Sequence, residues 1–147
     1  MAKGIFIFDG NIGNAPELRY QPANERSHGE PRPLLKFNVK YDRLVKTNDP
    51  NNAYEDKGGF WVAVDYWDKD GDELSKLLLK GMRVRIEGEL RMDVWEDKNN
   101  PGQMVSGMAL TASSIAILPR RIESLILKPS QGLPSQHNMA PAQEPEL

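Results

Sequence analysis

MRVRIEGELRMDVW, from Met82 to Trp95, sorts its side chains onto two faces. Val84, Ile86, Leu90, Met92 and Val94 share one parity, and Arg83, Arg85, Glu87, Glu89, Arg91 and Asp93 share the other. That period of two is the signature of a half-buried strand, with the apolar set turned to the core. Trp95 falls on the polar parity, so the largest apolar side chain of the stretch is expected to stand beside arginines and face water. A bend at Gly88, or a neighbouring subunit packed on the indole, would bury it instead.

The same alternation recurs upstream. FWVAVDYW at 60–67 puts Phe60, Val62, Val64 and Tyr66 on one side and Trp61, Ala63, Asp65 and Trp67 on the other. The first set makes the better core face, which leaves Trp61 and Trp67 outward. Leu35, Phe37, Val39 and Tyr41 alternate with Lys36, Asn38 and Lys40, a further strand with a basic outer face. IFIF at 5–8 reads as a buried strand that meets a turn at Asp9-Gly10-Asn11 and resumes at Ile12, the glycines of GNIG at 10–13 serving as turn or bulge residues. Pro22 to Pro33 is a polar loop, and Lys46 to Gly59 (KTNDPNNAYEDKGG) is too long for a tight hairpin and is expected to be an exposed, mobile connection. DGDELSKLLLK at 70–80 carries Leu74, Leu77 and Leu78 at helical spacing, aspartates at its start and Gly81 just past its end, so a short capped helix is expected. Downstream, Glu96 to Gln103 is a hairpin loop and Met104 to Leu118 a final strand.

Three strands, a helix and two strands in that order describe an all-β fold with one short helix: the OB-fold, a five-stranded Greek-key barrel plugged at one end by the helix between strands three and four. Residues 1–120 are assigned to this domain and 121–128 to a short apolar extension. Within the extension IESLIL at 122–127 is a helix or a strand packed on the barrel or on a partner subunit. The segment 129–147 has four prolines and no Lys, Arg, Phe, Tyr or Trp, and is expected to be a disordered tail.

Composition narrows the chemistry. No apolar run is long enough to span a bilayer, MAKGIFIF lacks the features of a signal peptide, and there is no cysteine, so membrane insertion, disulfides, thiolate catalysis and thiolate-bound zinc are set aside and a cytoplasmic location is expected. His28 and His137 stand far apart, DKDGDE at 68–73 has Glu73 where a calcium loop needs glycine, and neither a phosphate-binding glycine-lysine loop nor a nucleophile elbow occurs. The acids at 68–73 are read as helix caps, and Glu87 and Glu89 as partners of cross-strand arginines. No catalytic residue, metal site or cofactor is expected. Residues 1–128 hold all 19 Lys and Arg and 19 of the 21 Asp and Glu, so any affinity for nucleic acid must come from where the charges sit.

All three tryptophans fall on polar faces, together with Lys36, Lys40, Arg83, Arg85 and Arg91. Bases stack on exposed aromatics at about 1–3 kcal/mol each regardless of identity, and cations follow the phosphates, so the pattern suits single-stranded nucleic acid bound without sequence readout. The alternative is an OB-fold interaction module whose aromatic face binds protein or RNA.

GNIGNAPELRY at 10–20, the tryptophan strand at 60–67 and LLLKGMRVRIEGELRMDVW at 77–95 resemble the bacterial single-stranded DNA-binding protein family, whose blocks read GNLG-x-x-P-E-x-R-Y and L-x-K-G-x-x-V-x-I-E-G-x-L-R-x-x-x-W. The likeness extends from about Ile5 to Leu118. It implies that Trp61, Trp67 and Trp95 are base-stacking aromatics, with Tyr54 or Tyr41 in place of a fourth. It also implies a homotetramer, or in a smaller relative a dimer, wrapped by single-stranded DNA in replication, recombination, repair or DNA transfer, with no catalysis. The family's tail, several acids followed by Pro-Phe, recruits replication and repair proteins; here the chain reads AQEPEL. Ala63 and Asp65, between two of the tryptophans, are a second departure, and such divergence suits a mobile-element or plasmid member.

Overall fold

The computed structural model describes residues 3–23, 25 and 28–130. In chain order the elements are β1 (Ile5–Ile12), β2 (Glu17–Gln21), β3 (Arg32–Tyr41), β4 (Leu44–Lys46), β5 (Tyr54–Asp56), β6 (Phe60–Tyr66), α1 (Gly71–Leu77), β7 (Arg83–Glu96) and β8 (Met104–Ile117). β1 pairs with β7 through Ile5–Asn11 and with β3 through Gly10–Ile12, so the row β1-β7-β8-β6-β3 returns to its own first strand. Gly10 and Asn11 are shared by both ladders, and Gly10 is where β1 first meets β3. A Cβ there would stand 2.3 Å from the Lys40 carbonyl oxygen, and only glycine lets β1 pass from one neighbour to the other. All pairings are antiparallel except β6 with β8. This is the expected OB-fold.

The alternating residues meet where expected. Val39, Val62, Val84, Ile86, Leu35 and Leu110 have no exposed surface, and Phe8, Phe37, Val64 and Tyr66 join them. Burying one such side chain is worth about 1.5–3 kcal/mol, which holds the strand register against slippage, since a one-residue slip would turn every valine outward. Burial also pushes the Tyr66 phenol above its ordinary range, an effect increased by the carboxylates of Asp70 and Asp68.

Several expectations need correction. The helix is shorter than 70–80, and only Leu78, just past its end, is a full plug at 1% exposure; Leu74 is half-buried and Leu77 lies 55% exposed. Asp70 occupies the N-cap position but its carboxylate makes no capping bond there, and Asp72 and Glu73 sit in the first turn, where the helix dipole favours them. The connection 46–59 is exposed, as expected, yet it contains most of a hairpin, with Lys46 opposite Tyr54 and Leu44 opposite Asp56. Asp56 pins its base, accepting bonds from the backbone N–H of Arg43 (3.1 Å) and Gly59 (2.8 Å). β2 has no counterpart in the sequence pattern; it adds to the outer edge of β3 with only Leu18 packed on the core.

Met92 and Val94, placed on the core face by their parity, are 57% and 61% exposed. The reason is length. β1 covers β7 only as far as Glu89 and β6 covers β8 only from Met108 to Ala112, so the far ends of β7 and β8 run on as a two-stranded arm that pairs with no other strand among the described residues. Gly88 marks a bulge in this ladder, but the alternation carries through it. Residues 122–127 are neither helix nor strand, and Ile126 is 97% exposed. The tail expectation lies, from Gln131 on, outside the described residues.

Candidate nucleic-acid interface

The outward residues of β3, β6, β8 and β7 form one surface whose rows follow from the register. Lys36 stands opposite Asp65, which neighbours Thr111, which neighbours Glu89; the next row is Asn38, Ala63, Ala109 and Arg91. Trp61 lies beyond, opposite Lys40, and Trp95 follows on the arm opposite Val105. Trp61 is 54% and Trp95 49% exposed, so neither indole belongs to the core, and both rise from the same side of the sheet. Each rests on a glycine: Trp61 on Gly13, Trp95 on Gly107.

The other aromatic candidates are placed differently. Trp67 follows β6 and is half-buried, its ring covered by the Arg32 guanidinium 4.3 Å from the centroid, a cation–π contact. Nothing in the sequence pattern marks Arg32, because the prolines around it hide the start of β3. Trp67 is six residues from Trp61, roughly 20 Å along an extended strand. Tyr54 is 57% exposed on the β4–β5 hairpin, and Tyr41 is inward, among Phe6, Phe8 and Phe60.

Each cation expected to meet phosphate already has an oxygen of this chain as partner. Lys36 Nζ lies 2.8 Å from one Asp65 oxygen and Arg91 Nη2 3.0 Å from the other, so Asp65 bridges two cations in the middle of the face. Arg91 also reaches Asp93 at 3.0 Å and Thr111 Oγ1 at 2.6 Å, and Asp93 first, then Asp65, holds the guanidinium more firmly protonated than usual. Lys40 is bound at 3.0 Å by both Asp42 and Asp56, which raise its pKa, while Lys40 lowers that of Asp56. Arg83 and Arg85 stand farther round the barrel, Arg83 opposite Asn11, which is itself opposite Lys40, the neighbour of Trp61. They lie where β7 pairs with β1; Arg83 bonds to Asn11 at 3.1 Å, and Arg85 forks onto Asp9 at 2.7 and 3.0 Å. Arg85 and Trp95 are ten residues apart, roughly 30 Å along the strand.

An OB-fold with an aromatic, ion-paired outer face is the class defined so far. Residues 4–118 match the Single-strand binding protein family, and the chain belongs to that family. The single-stranded DNA-binding protein of Treponema pallidum is 29% identical over 112 residues, 76% of this chain and 56% of the relative; that of Xanthomonas axonopodis pv. citri is 32% identical over 95 residues, 63% of this chain and 47% of the relative. The chain thus spans about half the length of these curated relatives. Among solved structures, the small single-stranded DNA-binding protein of Streptomyces coelicolor superposes with a TM-score of 0.62 at 18% identity, over 80% of this chain and 95% of that one. The Plasmodium falciparum SSB complex with ssDNA gives 0.54 at 18% identity, over 80% and 96%. At that identity the two superpositions speak to the fold alone.

Proposed function

We propose that this chain binds single-stranded DNA without reading its sequence, bases stacking on Trp61 and Trp95 while Lys36, Lys40 and Arg91 contact phosphates between and beside them. One observation carries the reading: two half-exposed indoles rise from the same side of a barrel of this family, among charged side chains. Trp67 and Tyr54 are secondary platforms, one reached by displacing Arg32, the other carried on the hairpin. Arg83 and Arg85 contact DNA only if the strand continues round the barrel onto the β1–β7 wall.

A second reading, that the aromatic face binds protein, is favoured by the ion-pairing of the candidate cations. Titrating the chain with oligo-dT while following tryptophan emission separates the two. Quenching that weakens as salt rises supports DNA binding, and flat emission at low salt refutes it in favour of protein binding. Self-association is part of the proposal, as a tetramer or dimer. Its support is apolar surface left outward on β1, Ile5 at 57% and Ile7 at 56% exposure, and sedimentation at several concentrations tests it.

A further inference from the structure

Glycine inside a strand weakens it and needs a reason. In this chain Gly10, Gly88 and Gly107, which lie in strands, and Gly13, just past the end of β1, divide into two kinds according to what a Cβ would strike. At Gly10 the nearest atom is the Lys40 carbonyl oxygen at 2.3 Å, and at Gly88 the Thr111 carbonyl oxygen at 2.2 Å; at both, neighbouring backbone passes too close for any side chain. At Gly13 the nearest atoms are Cζ3 and Cη2 of Trp61, at 2.3 and 2.5 Å, and at Gly107 the nearest is Cη2 of Trp95, at 2.8 Å. What stands over these two is the far edge of an indole.

Backbone conformation does not explain them either. The glycines with positive φ are Gly29, Gly58, Gly81 and Gly102, so Gly13 and Gly107 lie outside the left-handed region and alanine fits their backbone. Both are in ladders that alanine would keep: Gly13 N–H donates to the Asn38 carbonyl at 2.8 Å, extending the β1–β3 pairing, and Gly107 stands opposite Asp93. Glycine at these positions leaves room for the benzo edge of an indole to pass close over the backbone.

We infer that Gly13 and Gly107 are positioning residues for the two stacking tryptophans, each holding its ring flat with one face open to a base. The inference rests on the stacking reading above and deepens it. A methyl group at either position meets a ring that turns about its side-chain torsions, so the ring lifts and the strand stays. The tilted indole then no longer presents its face in line with the other.

The test is a double-mutant cycle on the full chain with Gly107→Ala, Trp95→Ala and the pair, read by anisotropy of labelled oligo-dT, near-ultraviolet circular dichroism of the free protein, and the melting midpoint. The expected result is binding weakened at least about fivefold by Gly107→Ala, the lower end of what one stacked base is worth. The tryptophan dichroism changes, the midpoint moves by a few degrees at most, and Gly107→Ala has no further effect once Trp95 is alanine. Trp95→Phe in the Gly107→Ala background, with a smaller ring that clears the methyl, recovers part of the loss. Gly13→Ala with Trp61→Ala is the parallel cycle. The inference is overturned if Gly107→Ala binds like the unsubstituted chain, if its effect persists undiminished without Trp95, or if it unfolds the protein, which would make the glycine a requirement of the barrel. If Trp95→Ala itself leaves binding unchanged, the stacking reading falls and takes this inference with it.

Discussion

Asp65→Asn should make this protein bind single-stranded DNA more tightly and with more salt dependence. The Asp65 side chain is 13% exposed, and its carboxylate occupies Lys36 at 2.8 Å and Arg91 at 3.0 Å, cations whose own side chains are 39% and 37% exposed. An incoming phosphate competes with that carboxylate for both. Asparagine keeps the shape and removes the charge. Each cation released to a phosphate steepens the slope of log affinity against log salt by about 0.7 for a single strand, so freeing both adds about 1.4 and freeing only Lys36 adds about 0.7. Arg91 keeps Asp93 and Thr111, which makes the smaller figure a floor. Partly exposed ion contacts are worth up to about 1 kcal/mol each, giving a gain of about 1–2 kcal/mol, or roughly 5- to 30-fold at low salt. Folding should lose about 1 kcal/mol, because Lys36 and Arg91 then face one another without their shared acid, and the melting midpoint should fall by a few degrees. The assay is an oligo-dT titration of both proteins across a series of salt concentrations. A folded Asp65→Asn variant with unchanged slope and affinity would refute the idea that these cations meet phosphate.

Trp61→Ala and Trp95→Ala should each weaken oligo-dT binding by about 1–3 kcal/mol with little change in melting, since both rings are half outside; unfolding in either would return the indole to the core. Leu78→Ala should cost about 2–5 kcal/mol in urea unfolding, whereas exposed Leu77→Ala should stay within about 0.5 kcal/mol of the unsubstituted chain, and equal costs would mean the helix end is misplaced. The Asp9 carboxyl is held below its ordinary 3.8, chiefly by the hydrogen bond from Arg85, so the stability this pair contributes is present above the unfolded value and is lost as pH falls through the folded one. Arg85→Gln should therefore be less stable than the unsubstituted chain at pH 7 and approach it as pH drops below about 4; a gap that stays constant between the two conditions would show that the pair does not titrate with folding.

What the sequence makes legible is the half-buried strand. β3, β6 and β7 show their faces because a single alternation decides what meets the core, and Val39, Val62 and Val84 vanish from the surface while Lys40, Trp61 and Arg85 point away. β2 and the β4–β5 hairpin have little or no core face, so no periodicity announces them. Parity also cannot say where a strand outruns its neighbours, which is why Met92 and Val94 read as core. At the candidate site the indoles are legible one strand at a time. The partnership of Asp65 with both Lys36 and Arg91, the seat of Trp67 under Arg32, and the placing of Arg83 and Arg85 on the β1–β7 wall depend on which residue lies opposite which across the sheet, and that is set by tertiary pairing. Gly13 and Gly107 gave a signal, glycine where a strand should continue, that reads equally well as a bulge.

The unsupported reach of β7 and β8 makes Trp95 the tip of a cantilever, whereas Trp61 is bolted to the ring through β3 and β6. Trp95 is five residues past Leu90, about 17 Å at strand rise, so flexing the arm by about ten degrees displaces the indole by about 3 Å, close to the rise between stacked bases in a duplex. The gap between the two platforms is in this way a calliper opening, set by the stiffness of a ribbon and not by the barrel that carries it.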